Sequence, residues 1–323
     1  MQNTGGSPTF VRKSRKKFKD RLKTFISQWQ LQSMVLPGIA FMFIFTYIPI
    51  YGLIIAFKSY TVVDTIKDAP WVGLENFRII MNDQFFWESV VNTLGISLLK
   101  LLCGFFIPIV LAIMIFEVKS GPFKRVVQTV SYLPHFLSWI ILGGMLISWL
   151  STSGLLNQVL EGVGMIEPGA GPNYLLDADK YWWIAVLSDI WKEAGWGTIL
   201  YLATMSRIDP TFYEAARMDG ANKLKQIWYI TIPMLKPIIS LNLILNVSGL
   251  LGSNLDQTLV LMNSQNQAKS EVINSYVYRM GLAQGDFSYA TAVGLGISVV
   301  SVILLFVANQ ATKKMNDNQS VIF

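Results

Sequence analysis

The chain is poor in the residues on which much protein chemistry depends. It holds one cysteine, Cys103, and one histidine, His135, in 323 residues. A lone cysteine excludes an intramolecular disulfide framework and a cysteine-based zinc site, and a lone histidine excludes a multi-histidine metal centre, so no metal ligands are assigned. Charged residues make up only 14% of the chain, against about 25% in an average soluble domain. There is no Gly-x-x-x-x-Gly-Lys-Ser/Thr loop, hence no phosphate cradle, and the chain is not expected to hydrolyse ATP itself. Gly-x-Ser-x-Gly and His-Glu-x-x-His are also absent, and His135 has no nucleophile near it in sequence. An intramembrane enzyme is thereby disfavoured, and no catalytic residue or bound cofactor is assigned. No internal repeat is visible, which weighs against folds built from paired inverted halves.

What fills the chain is apolar: 52% of its residues are hydrophobic and its mean hydropathy is +0.44. Six stretches, approximately 34–57, 90–115, 126–150, 182–206, 232–252 and 288–311, approach the roughly 20 helical residues needed to cross a hydrocarbon core. The expected class is an all-α polytopic membrane protein of six transmembrane helices. The second and fourth stretches carry charges. No small-residue cleavage pattern precedes Lys58, so the first stretch reads as a permanent span rather than a signal peptide.

The net charge of +6 invites a nucleic-acid reading until the charges are placed. Eighteen of the 26 Lys and Arg residues fall in the N-terminal tail, the 116–125 and 207–231 segments, Lys236, Lys313 and Lys314, and only six in the alternate loops. Cytoplasmic loops carry such an excess, so both termini are expected to be cytoplasmic, and nucleic-acid binding gains no support. Within a basic tail over residues 1–33, positions 16–29 put Phe18, Leu22, Phe25, Ile26 and Trp29 on one helical face, the pattern of a helix lying on membrane lipid. A solvated tail is the alternative for the first fifteen residues. The membrane domain would run over 34–311, with 312–323 as a second cytoplasmic tail.

The 207–231 segment is the most informative. Asp209 suits an N-cap and Pro210 a first helical position, so a short helix starts there. Asp219-Gly220 supplies a stop, and a second helix can run on toward Pro233. Ala215 and Ala216 give the first helix a thin face that a partner protein can approach closely, or merely good helix propensity. The string Glu214-Ala215-Ala216, then Gly220, Ile230 and Pro233 resembles the EAA loop of ABC importer permeases, with Ile232 where the family pattern has Leu. Further stretches look like carbohydrate-importer permeases, and in particular like the LplB-like branch, which resembles permeases for oligosaccharides such as alginate fragments. They are Leu36-Pro-Gly38, Tyr47–Phe57, Asn92-Thr93, Gln128–Phe136, Tyr276–Gly281 and Ala290–Gly294.

That resemblance implies an ABC type I importer permease fold in a bacterial inner membrane. It implies four partners: a second homologous permease, an ATP-binding cassette ATPase dimer carrying ATP and Mg, an extracytoplasmic solute-binding protein and an oligosaccharide. Glu214, Ala215, Ala216, Asp219, Gly220, Ile230, Ile232 and Pro233 would then form the ATPase-coupling loop.

Polar residues inside spans are costly and mark candidate sites. At 1.5 Å per residue, Lys100, Lys192, Glu193 and Asn242 fall about 15–17 Å deep and Asn246 about 21 Å, near the midplane where transport sites tend to lie. Trp191 and Trp196 flank the span-four charges, and flat rings suit sugar C–H faces while amides and charges suit hydroxyls. Asn254, Asp256 and Gln257 are candidates at the outer mouth. Asp189, Lys192, Glu193 and Lys100 read equally well as ion pairs that only pack the bundle, and Asn242 and Asn246 as interhelical hydrogen-bond glue. An unpaired Lys192 facing the pathway would favour an acidic sugar. His135 reads as a core or kink-associated group. A non-sugar ABC permease and an ion-gradient-driven transporter using Lys100, Asp189 and Glu193 remain the alternatives.

Overall fold

The structure is a computed structural model describing residues 27–252 and 255–315. Every regular element among the described residues is helical, and strand-like pairing is confined to an isolated antiparallel bridge between Lys58 and Trp71. Most of the expected interfacial helix over 16–29 and of the basic tail lies outside the described residues.

Residues up to Ile54 form a unit by themselves. It contains most of helix α1, Trp29–Phe57, which changes from α to a π turn at Phe43–Tyr47 and then to 3-10 geometry. The change has a local cause. Pro49 has no N–H to give the carbonyl four residues back and its ring crowds it, so the helix widens just before the proline. The same rule operates twice more: a π turn at Lys100–Gly104 precedes Pro108, and one at Ile227–Thr231 precedes Pro233.

The second unit, from Ile55 onward, holds the remaining elements. Helix α2 (Glu75–Asn82) leads into α3 (Gln84–Glu117), whose first turn is capped by Asp83 accepting from the N–H groups of Phe85 and Phe86. Helices α4 (Pro122–Phe136) and α5 (Trp139–Trp149) follow, then α6 (Leu155–Gly162) and α7 (Tyr181–Met205). Next come α8 (Pro210–Met218), α9 (Lys223–Ser248), α10 (Leu255–Leu261), α11 (Gln267–Ser270), α12 (Ile273–Tyr278) and α13 (Phe287–Met315).

Among the described residues, α1, α3, α9 and α13 are long and apolar enough to cross a membrane. The third expected span, 126–150, is not one straight helix. The chain leaves α4 at Leu137, extends through Ser138, and re-enters α5 at a bend of 98°. Ser138 makes this a genuine restart, because its hydroxyl accepts from Ile141 N–H as an N-cap. Counted as one crossing, the pair is a fifth candidate. Helix α7 occupies the fourth expected stretch over 25 residues, with Asp189, Lys192 and Glu193 in its middle. Helix α9 starts at Lys223, so the loop's second helix, expected to run on toward Pro233, and the fifth apolar stretch are one rod.

Helix α7 is the centre of this unit, packing against α3, α4 and α9. Ile96, Leu142, Tyr181 and Ala185 form one buried cluster around its first half, and Ile109, Tyr201, Met205 and Leu235 another around its second. Two glycines allow the approach. A Cβ on Gly195 would lie 1.8 Å from the Ser131 carbonyl oxygen, and one on Gly197 would meet Pro108 at 3.0 Å. A third cluster joins Ile80, Tyr276, Tyr289 and Val293, and Asn92 donates to the carbonyls of Ala268 and Glu271, tying α3 to the 262–272 connection. Outward faces carry exposed Leu98, Leu102, Ile303 and Phe306, as a bilayer requires.

Candidate functional site

A cavity of about 1070 Å³ opens among α3, α7, α9 and α10. Its wall mixes polar with apolar side chains, and the charges on α3 and α7 are paired, as burial demands. Lys100 Nζ sits 3.0 Å from Asp189 Oδ1 and donates to Gln257 Oε1 at 2.7 Å. Gln257 in turn donates to Ala185 O at 2.7 Å and Ser188 Oγ at 2.9 Å, so one amide holds α3, α7 and α10 together.

A second network ties α7 to the bend between α4 and α5. Lys192 Nζ donates to His135 O and to Glu193 Oε1, each at 2.8 Å, and lies over the Trp139 ring. Glu193 Oε2 is 2.7 Å from His135 Nδ1. The His135 imidazole lies flat on the Trp196 indole, with centroids 4.2 Å apart and planes 5° from parallel.

Of the residues singled out from sequence, Glu193, Trp196, Asn242, Asn246, Asp256 and Gln257 line the cavity. Asn254 lies outside the described residues. Lys192 is not in the wall: it is 7% exposed and committed to Glu193 and His135. The condition for an acidic sugar, an unpaired Lys192 in the pathway, is therefore unmet. Trp191 points elsewhere on α7 and packs near Trp149. Gln257, expected at the mouth, is 1% exposed and serves as a buried tie. Asn246 donates to the Asn242 carbonyl, an i to i−4 bond within α9.

Sequence reasoning missed two features. His135 contacts Glu193 and Trp196 from 58 and 61 positions away, with only the preceding Leu133-Pro134 as a hint. The Asp83 carboxylate, at the start of α3, accepts from the hydroxyls of Tyr276 and Tyr289. There, burial pushes the Asp83 pKa up, but the tyrosine hydroxyls and the N–H groups of Phe85 and Phe86 outweigh it and hold the carboxyl below its ordinary value.

The 207–231 loop forms a helix, a turn and a second helix. Asp209 accepts from Thr211 N–H at 2.9 Å and starts α8. Gly220, at φ +77°, ends it in the left-handed conformation that glycine adopts without Cβ strain. Ala221 N–H then reaches back to Ala216 O at 2.8 Å, and Asn222 caps α9 through Lys225 N–H. Glu214, Ala215 and Asp219 are exposed, Ala216 is half-buried, and exposed Phe212, Met218 and Leu224 give the loop an apolar surface. Ile230, Ile232 and Pro233 lie at the base of α9. The loop is anchored by Tyr213 Oη to Thr231 Oγ1 at 3.0 Å and by a Lys223–Glu117 ion pair.

Long apolar helices around a cavity lined in part by paired charges are the architecture of a membrane transport subunit. Residues 104–317 match the family described as binding-protein-dependent transport system inner membrane component, and the chain belongs to that family. It is 38% identical over 304 residues to the polygalacturonan/rhamnogalacturonan transport system permease protein YteP of Bacillus subtilis, covering 94% of each chain. It is also 38% identical to Protein LplB of the same organism over 88% of this chain and 89% of that one. The fold matches a chain of a bacterial ABC transporter involved in the import of the acidic polysaccharide alginate. There the TM-score is 0.83 and the identity 35%, over 91% of this chain and 99% of that one. A structure of bacterial alginate ABC transporter with an alginate pentasaccharide-bound periplasmic protein contains a chain that matches with the same TM-score and 33% identity, over 92% and 98%.

Proposed function

We propose that this permease is one of two homologous membrane subunits of an ATP-driven importer that passes oligosaccharides through the cavity between α3, α7, α9 and α10. The observation that carries this is the cavity wall: amides and carboxylates at mid-span beside an indole, the lining a hydroxyl-rich solute with apolar C–H faces requires. The named substrates of similar permeases, which are polysaccharide-derived, support it.

In this scheme the membrane is crossed six times, with both termini and α8 on the cytoplasmic side, in keeping with the Lys and Arg distribution. An ATPase dimer, with ATP and Mg bound to it, receives the surface of Glu214, Ala215, Phe212 and Met218. Its closure moves α8, the Gly220 turn passes the motion to α9, and the cavity turns from inward-facing to outward-facing. Sugar enters from an extracytoplasmic binding protein, and hydrolysis resets the cycle. Asp219 and Gly220 shape the turn, while Ile230, Ile232 and Pro233 seat the base of α9.

Reconstitution of the chain with its second permease, ATPases and binding protein in liposomes tests the reading. Uptake should require ATP inside the ATPase compartment and survive ionophores. Uptake that runs on an ion gradient without ATP would overturn it.

A further inference from the structure

The charge of the cavity wall and the bracing of Trp196 together bear on which sugar the site takes, provided that the cavity passes oligosaccharides as proposed. Among the described lining residues Lys100 is the one basic side chain, against the carboxylates of Asp189, Glu193 and Asp256. The Lys100 ammonium is bound by Asp189 and Gln257. The Lys192 ammonium on α7 lies behind the wall on His135 O and Glu193. Asp189 and Glu193 are each paired with a lysine, so a uronate entering here meets an excess of one carboxylate, Asp256, and lysine ammoniums already engaged with protein oxygens. A neutral ring meets acceptors for its hydroxyls. Glu193 keeps acceptor capacity, since its side chain is 41% exposed and each carboxylate oxygen offers more than one lone pair.

Trp196 supplies the apolar half of such a site. The indole is 43% exposed, lines the cavity and lies three residues beyond Glu193 on α7. Its ring plane is fixed: His135 stacks on it at 4.2 Å, and Glu193 holds His135 by Nδ1 at 2.7 Å. A ring already immobilised loses little rotamer freedom when a ligand stacks on it. We infer that Trp196 is the stacking platform of a subsite for an uncharged pyranose, with Glu193 accepting a ring hydroxyl and His135 acting as a positioning residue. Similarity to permeases for polyuronates thus does not extend to the charge of the ligand at this subsite.

The test is saturation-transfer NMR on the purified complete transporter in detergent, without binding protein. The probes are neutral tetrasaccharides (cello-, galacto-, manno- and xylo-) and two uronates, tetragalacturonate and tetramannuronate. At least one neutral probe should receive saturation on its ring C–H protons and bind about ten-fold tighter than either uronate, as like-charge repulsion in a partly screened cavity predicts. Trp196→Ala should abolish this signal and Trp196→Phe keep most of it. His135→Ala should weaken binding about five-fold, the size of one lost ring stack, and His135→Phe, which retains a ring, should restore it.

Melting curves of each variant separate a local loss from misfolding. Uronates binding as tightly as the neutral probes, a signal unmoved in Trp196→Ala, or no binding by any probe would each overturn the subsite. The underlying reading fails separately, if wild-type proteoliposomes take up no oligosaccharide of either kind with ATP.

Discussion

Gly195→Ala tests the packing that holds the site together. The added methyl carbon would lie 1.8 Å from the Ser131 carbonyl oxygen and 2.3 Å from its carbon, where ordinary contact begins at 3.4 Å. The obstacle is backbone, so no rotamer change relieves it, and α4 and α7 must separate by roughly 1.5 Å. Two further bonds cross the same interface: Lys192 to His135 O at 2.8 Å and Glu193 to His135 Nδ1 at 2.7 Å. Overpacking costs about 1–3 kcal/mol and a charge-assisted hydrogen bond about 1.5–3 kcal/mol, so a loss of about 3–5 kcal/mol is expected. For a chain of this size that lowers the melting temperature by about 6–10 °C. The measurement is tryptophan-fluorescence melting of the purified protein in detergent. Gly144→Ala is the internal control, because its Cβ would meet nothing within 4 Å. It should be neutral or gain up to about 1 kcal/mol from helix propensity. If Gly195→Ala melts with the wild type, or Gly144→Ala loses as much, the close-approach argument is wrong.

The geometry sets three further outcomes. Gly220→Pro forces a φ near −65° on a position that sits at +77°. Membrane abundance should stay normal while ATP hydrolysis proceeds without uptake, and unchanged uptake would remove the coupling assignment. Lys100→Met strands Asp189, whose side chain is 28% accessible, and should cost about 2–4 kcal/mol in a melting assay. The double variant Lys100→Met/Asp189→Leu should regain most of that, and an additive pair of losses would show that the two charges do not interact. Asp83 has its pKa depressed in the folded state, so its stabilisation is present above the ordinary carboxylate range and is lost as pH falls below about 4. Asp83→Asn should therefore flatten the melting temperature between pH 6 and 3, and an unaltered pH profile would contradict the tyrosine cap.

The 207–231 loop is legible in the sequence because its determinants are local. Asp209, Pro210, Gly220 and Asn222 act within a few residues of themselves, and capping chemistry reads directly from spacing. The fourth stretch is legible as a helix, continuous from Tyr181 to Met205, although with Asp189, Lys192 and Glu193 in its middle it is not among the helices apolar enough to count as a span. Span three is not. Hydropathy records how apolar a segment is and is blind to its direction, so the 98° turn at Leu137–Ser138 leaves no trace beyond Pro134. The intramembrane charges stand out as costly, and their pairing with one another is legible as one of two readings; the bonds of Lys192 and Glu193 to His135 are not. Lys100 is in contact with Asp189, and Lys192, a candidate ligand for substrate by depth alone, instead holds His135. Contacts between residues dozens of positions apart depend on how helices rotate about their own axes, which one sequence does not specify.

Helix α9 has a mechanical consequence. It is one hydrogen-bonded rod from the exposed loop to the cavity wall, about 30 Å between Gln226 and Asn246. Its two compliant places, the π turn at Ile227–Thr231 and Pro237, both come before Asn242. Beyond them the rod is stiff. A tilt of about 10° at Pro237 sweeps Asn246 sideways by about 2 Å, since the arm between them is about 14 Å long. That stroke is enough to make or break a hydrogen bond to a sugar hydroxyl. Helix α7, held by close contacts at Gly195 and Gly197, has no proline between Tyr181 and Met205 on which to pivot. A tilt at Pro237 would therefore carry the amides of Asn242 and Asn246 past a fixed α7, which bears the Trp196 indole and the carboxylates of Asp189 and Glu193.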